Sequence, residues 1–401
     1  MSSLTWPGDH RAGALMSDGA LLDAMTHAED RWLYVLTEHG VAPSYRSLRN
    51  LLSEDDIAVI ATQAESGGNP VIPLVDILRA RLRAAGDEDA ARWVHRGLTS
   101  QDIMDTALML TARDAVTSTR SELTVQIRRV SSLADHYRHA PMAARTLTRA
   151  AVPTTFGLKA ATWLHGLVDA AEVLAALTFP VQMGGAAGTL SGVVELAGQA
   201  RARGCRADFP VSLGLQPAAP WHTHRTAVTR LADAVTCASD AWGRIANDVL
   251  ALGRSEIGEL SEGTGGASST MPHKANPTLS VLIRRAALSA PPLAATLHTA
   301  AAEQVDERAD GAWHVEWQTL QTLLRRTVVA ARQSTALLSG LRVDTAAMSA
   351  RLVQVDDEVH SEQRSLAALA GHEPAETYLG LVDDLIDEAI TRAQPYSEEP
   401  S

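Results

Sequence analysis

The sequence predicts an all-α fold. Apolar residues recur three or four positions apart over stretches far longer than the usual helix of about 11 residues. The span from Gln101 to Ala140 holds neither glycine nor proline. Five such long segments together make a bundle, and 401 residues of 46% hydrophobic content are enough to bury a large core around it.

Taken in order, Leu22, Met25, Ala28, Trp32 and Leu36 line one face of a helix over Leu21 to Leu36, with acids on the other face. Gly67, Gly68, Asn69 and Pro70 mark a turn before a second helical patch at Leu74 to Arg83. These make a helical N-terminal domain, residues 1–105. Leu108, Ala112, Val116, Leu123, Ile127, Val130, Ala134 and Tyr137 then stripe one long helix. Further long helices read from Thr155 to Phe179, Arg225 to Leu252, Thr278 to Ala309 with a kink at Pro291-Pro292, and Ala312 to Leu338. They complete a central bundle, residues 106–345. Beyond Gly340 the pattern is shorter and more acidic: Leu341 to Leu369, a break at Gly371-His372-Glu373-Pro374, and a last helix from Ala375 to Ala393. This is a shortened C-terminal domain, residues 346–401, and Gln394 to Ser401 read as a disordered tail.

Charge and composition exclude several function classes. The 35 basic residues face 47 acidic ones, for a net charge of −12, and no basic stripe offers a nucleic acid a footprint. The first residues lack a basic and then apolar leader, and no apolar run is long enough for a bilayer, so a soluble cytoplasmic protein is expected. Cys205 and Cys237 have no metal-ligand spacing and read as ordinary thiols; neither a metal site nor a cofactor is expected. The long helices carry more apolar surface than one bundle covers, which predicts packing against further copies of the chain.

Chemistry concentrates in Gly265-Gly266-Ala267-Ser268-Ser269-Thr270-Met271-Pro272-His273-Lys274-Ala275-Asn276-Pro277. Glycines and small hydroxyl residues make a non-helical loop, and Pro277 opens the helix that follows. The Lys274 ammonium and helix-start N–H groups suit a doubly charged oxyanion, while Ser268 or Ser269 suits proton removal once water is excluded. A second stretch, His95-Arg96-Gly97-Leu98-Thr99-Ser100-Gln101-Asp102, places hydroxyls where they either cap a helix or hold a carboxylate. A third, Arg145-Thr146-Leu147-Thr148-Arg149-Ala150-Ala151-Val152-Pro153-Thr154, supplies two arginines; Arg149 reads equally as an anion ligand or as a surface side chain. His224 is able to donate a proton near neutral pH, or merely to hydrogen-bond locally.

The serine loop resembles the signature loop of the fumarase/aspartase superfamily, with Ala267 where that family has glycine. The other two stretches resemble its first and second signature regions. Gln182 to Leu190, Pro220 to Arg225 and Glu307 to Trp317 resemble its 3-carboxy-cis,cis-muconate cycloisomerase branch, and the likeness runs over most of residues 12 to 345. The resemblance implies a three-domain, homotetrameric enzyme whose active sites each draw on three chains and take a small di- or tricarboxylate. It implies Ser268, Lys274 and Asn276 as catalytic residues; His224 is expected beside them as a proton donor on the chemistry of imidazole rather than on the resemblance. Substrate contacts would come from His95, Thr99, Ser100, Gln101, Arg145, Thr154, Ser269, Met271 and Arg308, with Arg149, which replaces a neutral residue of the family, as a further anion ligand on its charge alone.

Departures from the family pattern gather near the expected chemistry. Leu147 and Ala150 stand where relatives have histidine, Asp306 stands where they have histidine, and His224 where they have glutamine. Without a histidine acid, a leaving group that departs without a proton is favoured. The expected reaction is therefore serine-base β-elimination from a 2-substituted succinate, such as nitrosuccinate or an N-substituted aspartate, giving fumarate through an aci-carboxylate. A 3-carboxy-cis,cis-muconate cycloisomerase is the alternative, and a catalytically silent relative a third reading.

Overall fold

The computed structural model describes residues 4–263, 265–266, 270–271 and 275–397. Helices dominate: α1 (Asp18–Glu38), α2 (Asp56–Gly67), α3 (Val71–Ala84), α4 (Glu88–Trp93) and α5 (Ser100–His136) precede a β-hairpin, β1 (Pro141–Thr146) and β2 (Arg149–Thr155). Then come α6 (Phe156–Ala175), α7 (Ser191–Leu213), α8 (Thr226–Leu252), β3 (Leu260–Ser261), α9 (Thr278–Ala302), α10 (Gly311–Gly340) and β4 (Arg342–Val343). The chain ends with α11 (Thr345–Gln354), α12 (Asp356–Val359), α13 (Ser361–Ala370) and α14 (Val382–Ala393). Two compact units form, the first from Met1–Ser118, Ala176–Asp233 and Pro292–Val328, the second from Thr119–Ala175, Ala234–Pro291 and Val329–Ser401. Helices α5, α8, α9 and α10 each supply residues to both.

In the first unit, Ser17 starts α1 by accepting the Ala20 N–H at 3.1 Å, a cap worth about 1 kcal/mol. The predicted stripe of α1 is buried, and Trp32 meets Phe209 of α7 edge to face at 5.3 Å. Each fully buried large side chain here contributes about 1.5–3 kcal/mol. Helix α7 is broken at Gly198, whose φ of 73° is not helical.

In the second unit, Trp242 Nε1 donates to Gln126 Oε1 at 2.7 Å, and the Gln126 amide donates to Ala331 O and Thr335 Oγ1, so a buried polar side chain on α5 is satisfied by α8 and α10. Phe156 and Trp163 of α6 stack edge to face at 5.6 Å, and Trp163 Nε1 donates to Asp248 of α8.

Several expectations are corrected. The stretch Pro141–Thr155 is an antiparallel hairpin, with Thr146 paired to Arg149 across Leu147 (φ 49°) and Thr148 (φ 73°). Two left-handed residues make the tight loop a hairpin needs, but Leu-Thr lacks the asparagine-glycine signature that would have announced it. Helices α2, α4 and α7 have no counterpart in the sequence reading. Helix α6 starts one residue later than expected, α9 stops at Ala302 rather than Ala309, and α14 begins at Val382 rather than Ala375. The tail is ordered at its start: Gln394–Tyr396 form a 3₁₀ turn, and Tyr396 O accepts from Arg128 Nε at 2.7 Å.

Candidate active site

In the first unit the start of α5 is organised by Asp102, which is fully buried. Its carboxylate accepts the N–H groups of Thr99 (3.0 Å), Gly184 (2.8 Å) and Gly185 (2.9 Å), and Oδ1 lies 2.9 Å from His222 Nε2. One side chain three residues into a helix thus caps it and pins two other chain segments, a reach-back of the capping-box type. Gly184 and Gly185 are required: a Cβ at Gly184 would meet His222 Cε1 at 2.5 Å, and Gly185 has φ +69°. Gln101 is buried and donates to His222 O at 2.9 Å, while its Oε1 has no hydrogen-bond partner among the described residues. It supports the His222 segment from a buried position. Ser100 is half-buried at the first residue of α5.

One turn on, Asp105 receives Arg225 Nη1 and Nη2 (2.8 and 2.9 Å), Trp313 Nε1 (3.0 Å) and Gln182 Nε2 (3.1 Å), and Arg225 also binds Glu316. All three charged side chains are fully buried. Burial pushes the Glu316 carboxyl above its ordinary range, against the pull of Arg225. Sequence reading missed this network because its hydrogen-bonded partners are 77 to 208 residues apart.

Arg308 Nη2 donates to Thr99 Oγ1 at 2.5 Å and to Ala186 O, which joins two sequence-predicted contacts over the α5 start. His95 sits at φ +64°, and its Nδ1 is 2.5 Å from Glu29 Oε1. Gly97 next to it, φ +83°, leaves no room for a Cβ, which would meet Val193 Cγ2 at 2.7 Å. Left-handed non-glycine backbone of this kind is a feature of functional sites. His224 is exposed and lies 3.2 Å from Thr226 Oγ1, so of its two readings the local hydrogen bond is what the structure displays.

In the second unit Arg145 makes a bidentate pair with fully buried Glu259 at 3.0 and 2.7 Å. This pair fixes the hairpin on Glu259 and leaves the Arg145 side chain 26% exposed. Arg149 is exposed at the start of β2, and Thr154, half-buried, pairs with Met142. Burial pushes the Lys159 ammonium down in spite of Asp248.

The neck of the serine loop is closed by Gly266 and Asn276, which exchange backbone hydrogen bonds at 2.7 and 2.9 Å. Met271, on the loop, is 42% exposed. Ser268, Ser269 and Lys274 lie outside the described residues, as does Ala267. The helix-start amides expected to hold an oxyanion are already taken: Glu262 accepts Leu279 N–H at 3.1 Å and Ser280 N–H at 2.7 Å, and Thr278 N–H goes to Asn276 O. A carboxylate at a helix N-terminus is the favourable arrangement, and here the protein supplies its own. Among the described residues no cluster of metal-ligating side chains occurs, and no helix is long and apolar enough to cross a membrane.

Residues 45–290 match the profile of a family described as lyase. Over 399 residues, 93% of this chain and 84% of the relative, the sequence is 40% identical to a nitrosuccinate lyase of Streptomyces davaonensis. The chain belongs to the fumarase/aspartase superfamily. It is an enzyme of that superfamily, and it lies near the cycloisomerase branch. It is 40% identical over 303 residues to a 3-carboxy-cis,cis-muconate cycloisomerase of Bradyrhizobium diazoefficiens, covering 74% of this chain and 66% of the relative. The crystal structure of the β-carboxy-cis,cis-muconate cycloisomerase of Acinetobacter calcoaceticus superposes with a TM-score of 0.84 at 26% identity, over 95% of this chain and 97% of that one.

In this superfamily member the second signature region lies on the hairpin. Leu147, expected from the resemblance to stand where relatives have histidine, is at its tip and 96% exposed, and Ala150 follows on β2. Neither side chain is able to carry a proton.

Proposed function

We propose that the enzyme eliminates an anionic leaving group from a 2-substituted succinate, with nitrosuccinate as the substrate. The observation that carries this reading is the 40% identity, over 93% of the chain, to a nitrosuccinate lyase. Leu147 and Ala150 support it, because nitrite departs as a stable anion and needs no proton from either position. In the proposed reaction Ser268 takes the C3 proton, the electrons collect on the neighbouring carboxylate as an aci-carboxylate, and the C2–N bond breaks. Fumarate, nitrite and one proton result. Lys274 and the Asn276 side chain stabilise the dianionic carboxylate; the amides of Leu279 and Ser280, held by Glu262, do not take part. Thr99, Ser100, Arg149, Thr154, Ser269, Met271 and Arg308 hold the substrate carboxylates and the closed loop, and Arg145 holds the hairpin. His224 serves as a surface donor at the helix start of α8. No cofactor takes part.

The same proposal includes a homotetramer in which each site is assembled from three chains, a three-domain organisation at 1–105, 106–345 and 346–401, and a cytoplasmic location. The test is stoichiometric release of fumarate and nitrite from nitrosuccinate by the purified protein. Adenylosuccinate, argininosuccinate and aspartate serve as competitors for the leaving-group assignment. No fumarate from any of them rejects the elimination.

Cycloisomerase chemistry is the second reading, favoured by the 40% identity over 303 residues to an enzyme of that name. Turnover of 3-carboxy-cis,cis-muconate in the absence of fumarate release would establish it.

A further inference from the structure

We propose that Glu29 is a positioning residue that keeps His95 as an imidazolium, so that its Nε2–H is a charged donor for an anionic group of the substrate. Glu29 lies on α1, outside all three signature stretches, and its side chain is fully buried. Oε1 is 2.5 Å from His95 Nδ1, and Oε2 has no hydrogen-bond partner among the described residues. A buried carboxylate with one oxygen unpartnered needs a countercharge close by. Among the described residues His95 is the cation hydrogen-bonded to it, with the Arg79 guanidinium on α3 a second positive charge nearby. The pair has three states: imidazolium with carboxylate, neutral imidazole with a protonated carboxyl, and, one proton fewer, neutral imidazole whose Nδ1–H donates to the carboxylate. Imidazole is the stronger base by about two pKa units, so of the two states holding the extra proton the charged pair wins, and the adjacent Glu29 carboxylate holds that proton on the ring to higher pH.

The groups around His95 point the same way on balance. Burial on its own would lower the imidazole pKa, but the charge and hydrogen bond of Glu29 outweigh it, and the value is held above its ordinary range. Arg79 on α3 opposes, and Asp102 at the start of α5 adds to Glu29. With Nδ1 given to Glu29, Nε2 carries no hydrogen bond among the described residues, and the side chain is 18% exposed. The Trp32 indole donates to Arg96 O at 2.8 Å and fixes the backbone that holds His95 at positive φ. The fold therefore places a cation one short loop ahead of Thr99 and Ser100, in a chain that has no histidine at 147 or 150. Identification of the anion as the leaving nitrite or a substrate carboxylate rests on the proposed elimination; the charge on His95 does not.

The experiment separates these two parts. Protein labelled with ¹⁵N-histidine is titrated by NMR from pH 6 to 9, and the His95 signal is assigned by its loss in His95→Asn. In the wild type His95 stays an imidazolium through neutral pH; in Glu29→Gln its titration falls by about one to three pH units, the range an adjacent charge commands. Glu29→Asp restores much of the shift. Fumarate serves as the probe anion: its affinity at pH 8 weakens about tenfold or more in Glu29→Gln and recovers at pH 6. In the His95→Asn background Glu29→Gln has no further effect on affinity, whereas a structural role would persist there. A neutral His95 in the wild type at pH 7, or an unmoved titration in Glu29→Gln, overturns the charge assignment. A normal shift in titration with unchanged fumarate affinity overturns the anion role. Absence of fumarate from nitrosuccinate and from the other 2-substituted succinates while both effects are present rejects the elimination and leaves the dyad standing.

Discussion

At the scale of the residue, roles divide between groups that chemistry names and groups that only packing reveals. Ser268 was named by its loop, and as the base it is expected to matter most. Ser268→Ala should lower fumarate release by about a hundredfold to ten-thousandfold, measured as kcat with folding checked by circular dichroism. Asp102 and Arg225 are the opposite case, since their importance lies in the number of partners they satisfy. Arg225→Met strips the countercharge from Asp105 and Glu316, both fully buried. Breaking a buried pair in this way costs about 3–5 kcal/mol. The urea midpoint should fall accordingly, and a midpoint within experimental scatter of wild type would refute the role given to the network. Arg145 and Gln101 show why a residue type in a signature stretch is an incomplete guide: the Arg145 guanidinium pairs with Glu259, and the Gln101 amide N–H donates to His222 O.

At the scale of the element, the hairpin and the neck of the serine loop determine where signature residues go. The hairpin was hidden because its turn is Leu147-Thr148, and nothing in those two residue types favours positive φ. The neck depends on Gly266, where a Cβ would fall 1.8 Å from Thr278 Oγ1. Gly266→Ala must therefore shift Thr278 or the neck itself, and a shift near 1 Å at the neck is enough for about a hundredfold loss of turnover. Thermal stability should change little, because the neck closes a local segment; a fall in melting temperature with unaltered kcat would contradict this. Glu262 caps α9 through two amides and the Ser280 hydroxyl. Glu262→Ala should cost about 1–2 kcal/mol in chemical denaturation. It would also free the amides that the sequence reading had assigned to the oxyanion.

At the scale of the whole molecule, pH acts on stability through the groups whose folded pKa departs from the unfolded one. His95 is raised, so its pairing with Glu29 contributes stability that is fully present below the ordinary imidazole value of about 6.5 and is lost as pH rises through the folded value. Asp56 is lowered, chiefly by its hydrogen bonds to Arg81, so its contribution is present above the ordinary carboxylate range and lost as pH falls through the depressed value. Urea midpoints across pH should decline on the alkaline side in the wild type and flatten there in His95→Gln. The sequence by itself determined the predominantly helical class, the long helix expected from Gln101 and the superfamily, because apolar spacing of three or four and contiguous motifs are local properties of the chain. It also named the serine loop, whose residue types carry their chemistry with them. Only the tertiary structure decided that Asp102 clamps three segments, that Glu262 fills the amides of α9, that Arg145 is held by Glu259 and that Glu29 meets His95. Those partners are 17 to 120 residues apart, and no periodicity relates them. A charge finds its buried partner only where folding has removed the water that would otherwise solvate both.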